Sequence, residues 1–140
     1  MHVLKQLHFW LGLTGIIIFL LTGQYMFRVL DVLQGMDDGP RMLFRSAHIY
    51  FLLVSIINLV IGFYLQPANL KLNKWIQYII SIVFLLTPFV ILAGFFLEPF
   101  LGDLYRPYVK PALYSLFAVA VLLIIAGLKD RLGNYLHRTK

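Results

Sequence analysis

Four apolar stretches alternate with three polar ones along this 140-residue chain. Each apolar stretch is long enough to cross about 30 Å of hydrocarbon as an α-helix, at a rise of 1.5 Å per residue. The polar stretches contain turn-forming sequences such as GMDDGP and QPANLKLNK. The pattern predicts an all-α membrane protein, in which residues 1–140 form a single domain that is an antiparallel bundle of four transmembrane helices. The predicted helices cover about residues 7–29, 44–65, 75–97 and 108–128.

The second apolar stretch carries its polar residues on one helical face. Arg41, Arg45, His48 and Ser55 follow one another at intervals of three, four or seven residues, and Asn58 borders the same stripe. Residues at these intervals lie above one another on an α-helix. A polar side chain that faces lipid is costly, so we expect the stripe to face the interior of the bundle.

The first stretch presents small residues on one face. Gly12, Gly15, Phe19, Thr22 and Met26 recur at intervals of three and four residues. Small residues allow a neighbouring helix to approach closely in a membrane. This face predicts tight packing of the first helix, and it is also the feature that suggests a homo-oligomer or a larger membrane complex.

A proline interrupts the third stretch. Pro88 has no N–H, so the carbonyl four residues before it loses its helical donor and the helix is expected to kink. Such a carbonyl is tolerated in a membrane when another group bonds to it. We expect a neighbouring helix or Thr87 to do so.

The composition agrees with a membrane protein. Hydrophobic residues make up 61% of the chain and charged residues 13%, whereas soluble domains carry about 25% charged residues. The net charge is +6, but the basic residues flank the apolar stretches, where they act as topology signals. We therefore expect the lipid bilayer as a partner and no nucleic acid. The absence of cysteine excludes disulfides and thiolate metal sites.

The distribution of basic residues predicts the orientation. Four spans place the amino terminus, the turn at residues 66–74 and the carboxyl tail on one side, with seven Lys and Arg residues. The other side has five. Basic residues are enriched on the cytoplasmic side, so we predict a multi-pass protein with both termini in the cytoplasm, in a bacterial inner membrane.

The depth of the polar residues predicts one candidate site near the outer face. His48 lies about one turn inside the second helix, and antiparallel neighbours place it level with residues 24–26 and about 95–98. Ionisable residues inside a membrane are candidates for function. The predicted cofactor-binding residues are Gln24, Tyr25, Met26, Arg45, His48 and Glu98.

Several ligands suit parts of this site, and the sequence does not choose between them. Haem b needs an axial histidine and cations for its propionates, which His48, Arg41 and Arg45 offer. A quinone headgroup needs the same kinds of residue. A copper or zinc ion lacks sufficient ligands. Paired haem ligation by His8 and His48 fails because they lie near opposite faces. Without a ligand, the cluster is a set of structural hydrogen bonds.

Motifs for catalysis are absent from the sequence. There is no Ser/His/Asp order, H-E-x-x-H motif or phosphate-binding loop. We therefore interpret the chain as a non-catalytic subunit or assembly protein of the membrane. The alternative hypothesis is a haem- or quinone-binding redox module that uses His48 and Arg45.

Two short motifs resemble known membrane families. LKQLH at residues 4–8 resembles the L-K-x-L-H start of the small four-helix copper-resistance and protoporphyrinogen-oxidase-like membrane proteins. RSAH at residues 45–48 is similar to the R-x-A-H motif on the second helix of the membrane-associated eicosanoid and glutathione metabolism family. Each resemblance covers about five residues, and the residues expected further along are replaced by others. Neither one assigns a family.

Overall fold

The computed structural model describes residues 2–65, 71–101 and 104–138. All secondary structure in these residues is helical. Four long helices follow one another, and two short 3₁₀ helices, Asp31–Leu33 and Glu98–Phe100, lie in the connections after the first and third. The long helices are α1 (His2–Arg28), α2 (Asp38–Tyr64), α3 (Lys71–Leu97) and α4 (Val109–Arg138).

The first three helices are long and apolar enough to cross a membrane. In α4 the described apolar part, Val109–Leu122, is shorter. The prediction of an all-α membrane fold is therefore confirmed for α1, α2 and α3. A fourth crossing by α4 stays a prediction.

Four helix boundaries lie four or more residues from the predicted ones, since α1 begins at His2 rather than near residue 7 and α3 at Lys71 rather than near residue 75, and the two largest differences are in α2 and α4. α2 begins at Asp38 rather than near residue 44, so Gly39 and Pro40 form its first turn instead of a loop. Proline is tolerated there because the first N–H groups of a helix have no intrahelical partner. The chain reverses earlier, around Gly35, whose φ of 72° suits glycine. α4 continues to Arg138, beyond the predicted end at residue 128.

Neighbouring helices run antiparallel. Gly12 of α1 faces Leu59 of α2, while Phe9, earlier in α1, faces Gly62, later in α2. α2 packs between α1 and α3, and α4 packs principally on α3. The bundle therefore has two ends, here named the His8 end and the His48 end after the histidine that lies near each.

The small residues of α1 are used within the chain. A Cβ atom on Gly12 would lie 2.5 Å from the backbone nitrogen of Leu59, and one on Gly15 would meet the Ser55 hydroxyl. A Cβ atom on Gly62 would lie 2.6 Å from the Cα atom of Phe9. These glycines allow α1 and α2 to touch backbone to backbone, as the small-residue face predicts. That face is covered by α2, so it no longer argues for an oligomer.

Candidate functional site

His48 lies between α1 and α3 at the His48 end. Its ring stacks on Phe19 of α1, with 4.0 Å between ring centroids and 17° between planes. The ring centroid of Phe95 on α3 is 6.3 Å from that of His48. His48 Nδ1 is 3.0 Å from the Thr22 hydroxyl oxygen. The polar stripe of α2 therefore faces the bundle interior at this residue.

The contact between Thr22 and His48 allows either neutral tautomer of the imidazole. The Thr22 hydroxyl oxygen lies 3.0 Å from the carbonyl of Ile18 and 2.9 Å from that of Phe19, so its one proton can be donated to its own helix or to His48. When the proton is donated to the helix, the hydroxyl oxygen accepts a bond from Nδ1–H of His48. In that tautomer Nε2 is the unprotonated nitrogen and carries a lone pair. A Cβ atom on Gly23 would lie 3.6 Å from that nitrogen.

A small open cavity is lined by Gly23, the residue whose Cβ position faces His48. Its volume is about 220 Å³. Small-molecule sites usually measure about 300–1,000 Å³, so the cavity suits one small ring better than a haem. Its lining residues are Gly23, Met26, Phe27, Leu33 and Arg45.

The structure brings some predicted site residues together and separates others. Met26 and Arg45 share the cavity. Gln24 points outward and is exposed. Tyr25 packs edge-on against Phe96, with 5.8 Å between ring centroids. Thr22, which was not among the predicted binding residues, is the one that bonds to His48. Its place on the α1 face that packs on α2 was the available signal.

Glu98 has a different environment from the predicted one. Its side chain is fully buried, and Oε1 accepts bonds from the backbone nitrogens of Tyr108 at 2.9 Å and Val109 at 2.8 Å. Oε2 accepts a bond from Nε of Arg106 at 3.1 Å. Glu98 therefore caps the amino end of α4, where a negative charge is favourable. Within the described structure it makes no bond to His48.

A second polar network joins three helices toward the His8 end. The side-chain nitrogen of Asn58 donates to the carbonyl of Val54 on its own helix and, at 2.9 Å, to the carbonyl of Phe84 on α3. The Asn58 oxygen accepts from Nδ1 of His8 at 2.6 Å. The Phe84 carbonyl is the one that Pro88 leaves without a helical donor. A neighbouring helix thus bonds to the freed carbonyl, as expected, while Thr87 bonds to Val83 instead.

The two histidines belong to separate sites. His8 lies 14 residues before Thr22 on α1, which is about 21 Å along the helix axis. Its Nε2 atom is buried and has no hydrogen-bond partner among the described residues. His8 and His48 therefore cannot ligate one metal or haem, in agreement with the depth argument. No group of three or more His, Asp and Glu side chains in the described part of the chain could hold a metal ion.

No protein-family model matches the chain, and no curated protein or solved structure matches it either.

Proposed function

We propose that this protein is a non-catalytic subunit or assembly protein of the membrane, within a homo-oligomer or a larger complex. One observation carries the non-catalytic part of this proposal: the described polar side chains inside the bundle bond to this chain's own helices, while membership of an assembly rests on the sequence expectation alone. Thr22 bonds to His48, Asn58 bonds to His8, and Glu98 caps α4. Polar groups used in this way hold helices together. A catalytic site needs such groups free and converging on a cavity.

The partner assembly is tested by the mass of the native particle. The polypeptide has a mass of 16.2 kDa. After purification from its own membrane in a mild detergent, the protein is expected to form a particle that contains either several copies of the chain or a second polypeptide in a fixed ratio. Light scattering with refractive-index detection measures the protein mass apart from the detergent. A single copy of the chain under these conditions contradicts the proposal.

The proposal includes a topology with four crossings and both termini in the cytoplasm of a bacterium. The seven-to-five division of basic residues supports it. Asp37 lies in the connection between α1 and α2 and is exposed. In the variant Asp37→Cys, a membrane-impermeant thiol reagent is expected to label intact cells, because the proposed topology puts this connection on the outer side. The native chain has no cysteine, so the label reports on position 37 alone. Labelling that occurs only after the cells are opened would show the opposite orientation and contradict the proposed topology.

A redox module at His48 and Arg45 is the second candidate function. Nε2 of His48 faces Gly23, which lines the same cavity as Arg45, and this arrangement favours it. A histidine whose other nitrogen is held by a hydrogen bond is oriented to accept a bond from a ligand or to bind a metal. The cavity volume favours a quinone headgroup over haem b.

The variant His48→Ala tests this second candidate. If a quinone binds, it is expected in solvent extracts of the purified protein at about one per chain and to be lost in His48→Ala. If haem b binds, its Soret band is lost instead. Thr14→Ala is the control, because Thr14 is exposed and bonds to its own helix. Wild-type protein without either molecule, or equal retention in His48→Ala, rules the module out.

A further inference from the structure

The exposed face of α2 has a charged segment at the His48 end. Six residues at helical spacing line an open groove of about 450 Å³. Charged residues occupy its outer part, and Ile49 lies at its inner limit. The lining residues are Asp38, Arg41, Met42, Arg45, Ser46 and Ile49, and the site is named the α2 groove.

The α2 groove contains one guanidinium without a protein partner. Arg41 is engaged: Nη1 lies 3.3 Å from a carboxylate oxygen of Asp38, and Nη2 donates to the carbonyl of Met36 at 2.7 Å. Arg45 is exposed and makes no hydrogen bond or ion pair with the residues that the structure describes. The Ser46 hydroxyl donates to its own helix. The groove therefore has a net charge of +1, which Arg45 contributes.

An aliphatic stripe continues from the α2 groove toward the middle of the helix. Ile49, Leu53 and Ile56 follow at helical spacing, with 62%, 47% and 44% of their surface exposed. From Arg45 to Ile56 the helix rises about 16 Å, which is close to half of a hydrocarbon core about 30 Å thick. The stripe thus has the length of an acyl chain in one leaflet.

We propose that the α2 groove binds an anionic glycerophospholipid, with its phosphate on Arg45 and one acyl chain along the stripe. A guanidinium binds phosphate through two parallel hydrogen bonds. The net positive charge favours an anionic lipid over a zwitterionic one, and the aliphatic stripe favours a lipid over free phosphate. The proposal requires only that α2 lies in a bilayer, so it is independent of the assembly and redox functions.

The experiment is a lipid titration of the purified, delipidated protein in a mild detergent, followed by native mass spectrometry. Phosphatidylglycerol is expected to bind at least about fivefold more tightly than phosphatidylcholine, the effect of one charge contact near a membrane surface. Arg45→Gln is expected to remove this preference. Asp38→Asn removes the competing carboxylate and is expected to tighten phosphatidylglycerol binding. Lys110 is an exposed charge on α4, and the control variant Lys110→Gln should leave the binding of both lipids unchanged.

Several outcomes would overturn the lipid site. These are equal binding of the two lipids, competition by millimolar inorganic phosphate, and an unchanged preference in Arg45→Gln. His48→Ala must leave phosphatidylglycerol binding intact, because Arg45 also lines the cavity of the redox candidate. If Arg45→Gln does not fold, Asp38→Asn decides: tighter binding supports the site and unchanged binding rejects it.

Discussion

Replacement of Glu98 by alanine is expected to lower the free energy of unfolding by about 3–5 kcal/mol, the usual cost of removing one partner of a buried ion pair. Arg106 would keep its charge without the carboxylate that it now contacts at 3.1 Å. The backbone nitrogens of Tyr108 and Val109 would also lose their acceptor at the start of α4. Titration with sodium dodecyl sulfate, followed by circular dichroism, measures the loss.

Two variants separate the charge from other effects of the alanine substitution. Asp38→Asn is the matched control, because Asp38 also pairs with an arginine but its side chain is 98% exposed. Exposed pairs contribute little, so this variant should unfold almost as the wild type does. In the double variant Glu98→Ala/Arg106→Ala, no unpaired charge remains, so its loss should be smaller than that of Glu98→Ala. Wild-type stability in Glu98→Ala would mean that the carboxylate does not hold α4.

The hydropathy pattern was sufficient to predict the helices, because an apolar run of about 20 residues has few folds other than a helix in lipid. It was less informative at their ends. Asp38, Gly39 and Pro40 are turn formers, yet they are also acceptable in the first turn of a helix, where α2 uses them. The extension of α4 to Arg138 follows from residues that favour helix even without an apolar pattern.

The candidate site was predictable in depth but not in its bonds. Antiparallel packing placed His48 near Phe95, and the structure agrees. On α1 the bonded residue is Thr22, two positions from the predicted Gln24. The partners of Glu98 depend on the path of the connection between α3 and α4. A comparison of residue depths in the membrane does not predict that path.

The contact between His8 and Asn58 was missed for a related reason. At the level of the backbone, the start of α1 lies beside Gly62, since Phe9 touches it. Asn58 is about one turn away, so the bond depends on the reach of two side chains. A comparison of backbone depths therefore places His8 beside Gly62 rather than beside Asn58. An amide side chain is needed at position 58 because it also donates to a carbonyl on a third helix, that of Phe84.

The variant Asn58→Leu is expected to destabilise the bundle by about 1–3 kcal/mol, because buried polar groups lose their partners. Nδ1 of His8 and the carbonyl of Phe84 are the groups left unsatisfied. Ser55→Ala is the control one turn away on the same helix. Ser55 is equally buried, but its hydroxyl donates to the carbonyl of Phe51 on its own helix. Ser55→Ala is expected to have nearly the same free energy of unfolding as the wild type in the same detergent titration.

A double-mutant cycle with Pro88→Ala identifies the bond to Phe84. Alanine at position 88 restores a backbone N–H that can donate to this carbonyl, so Asn58 is no longer its necessary donor. The loss caused by Asn58→Leu should then be smaller in the Pro88→Ala background, by roughly 0.6–1.7 kcal/mol, the range for single hydrogen bonds between helices in a membrane. The effect of Ser55→Ala should not depend on Pro88. If Asn58→Leu costs the same in both backgrounds, Asn58 does not compensate for the proline, and its contribution is limited to His8.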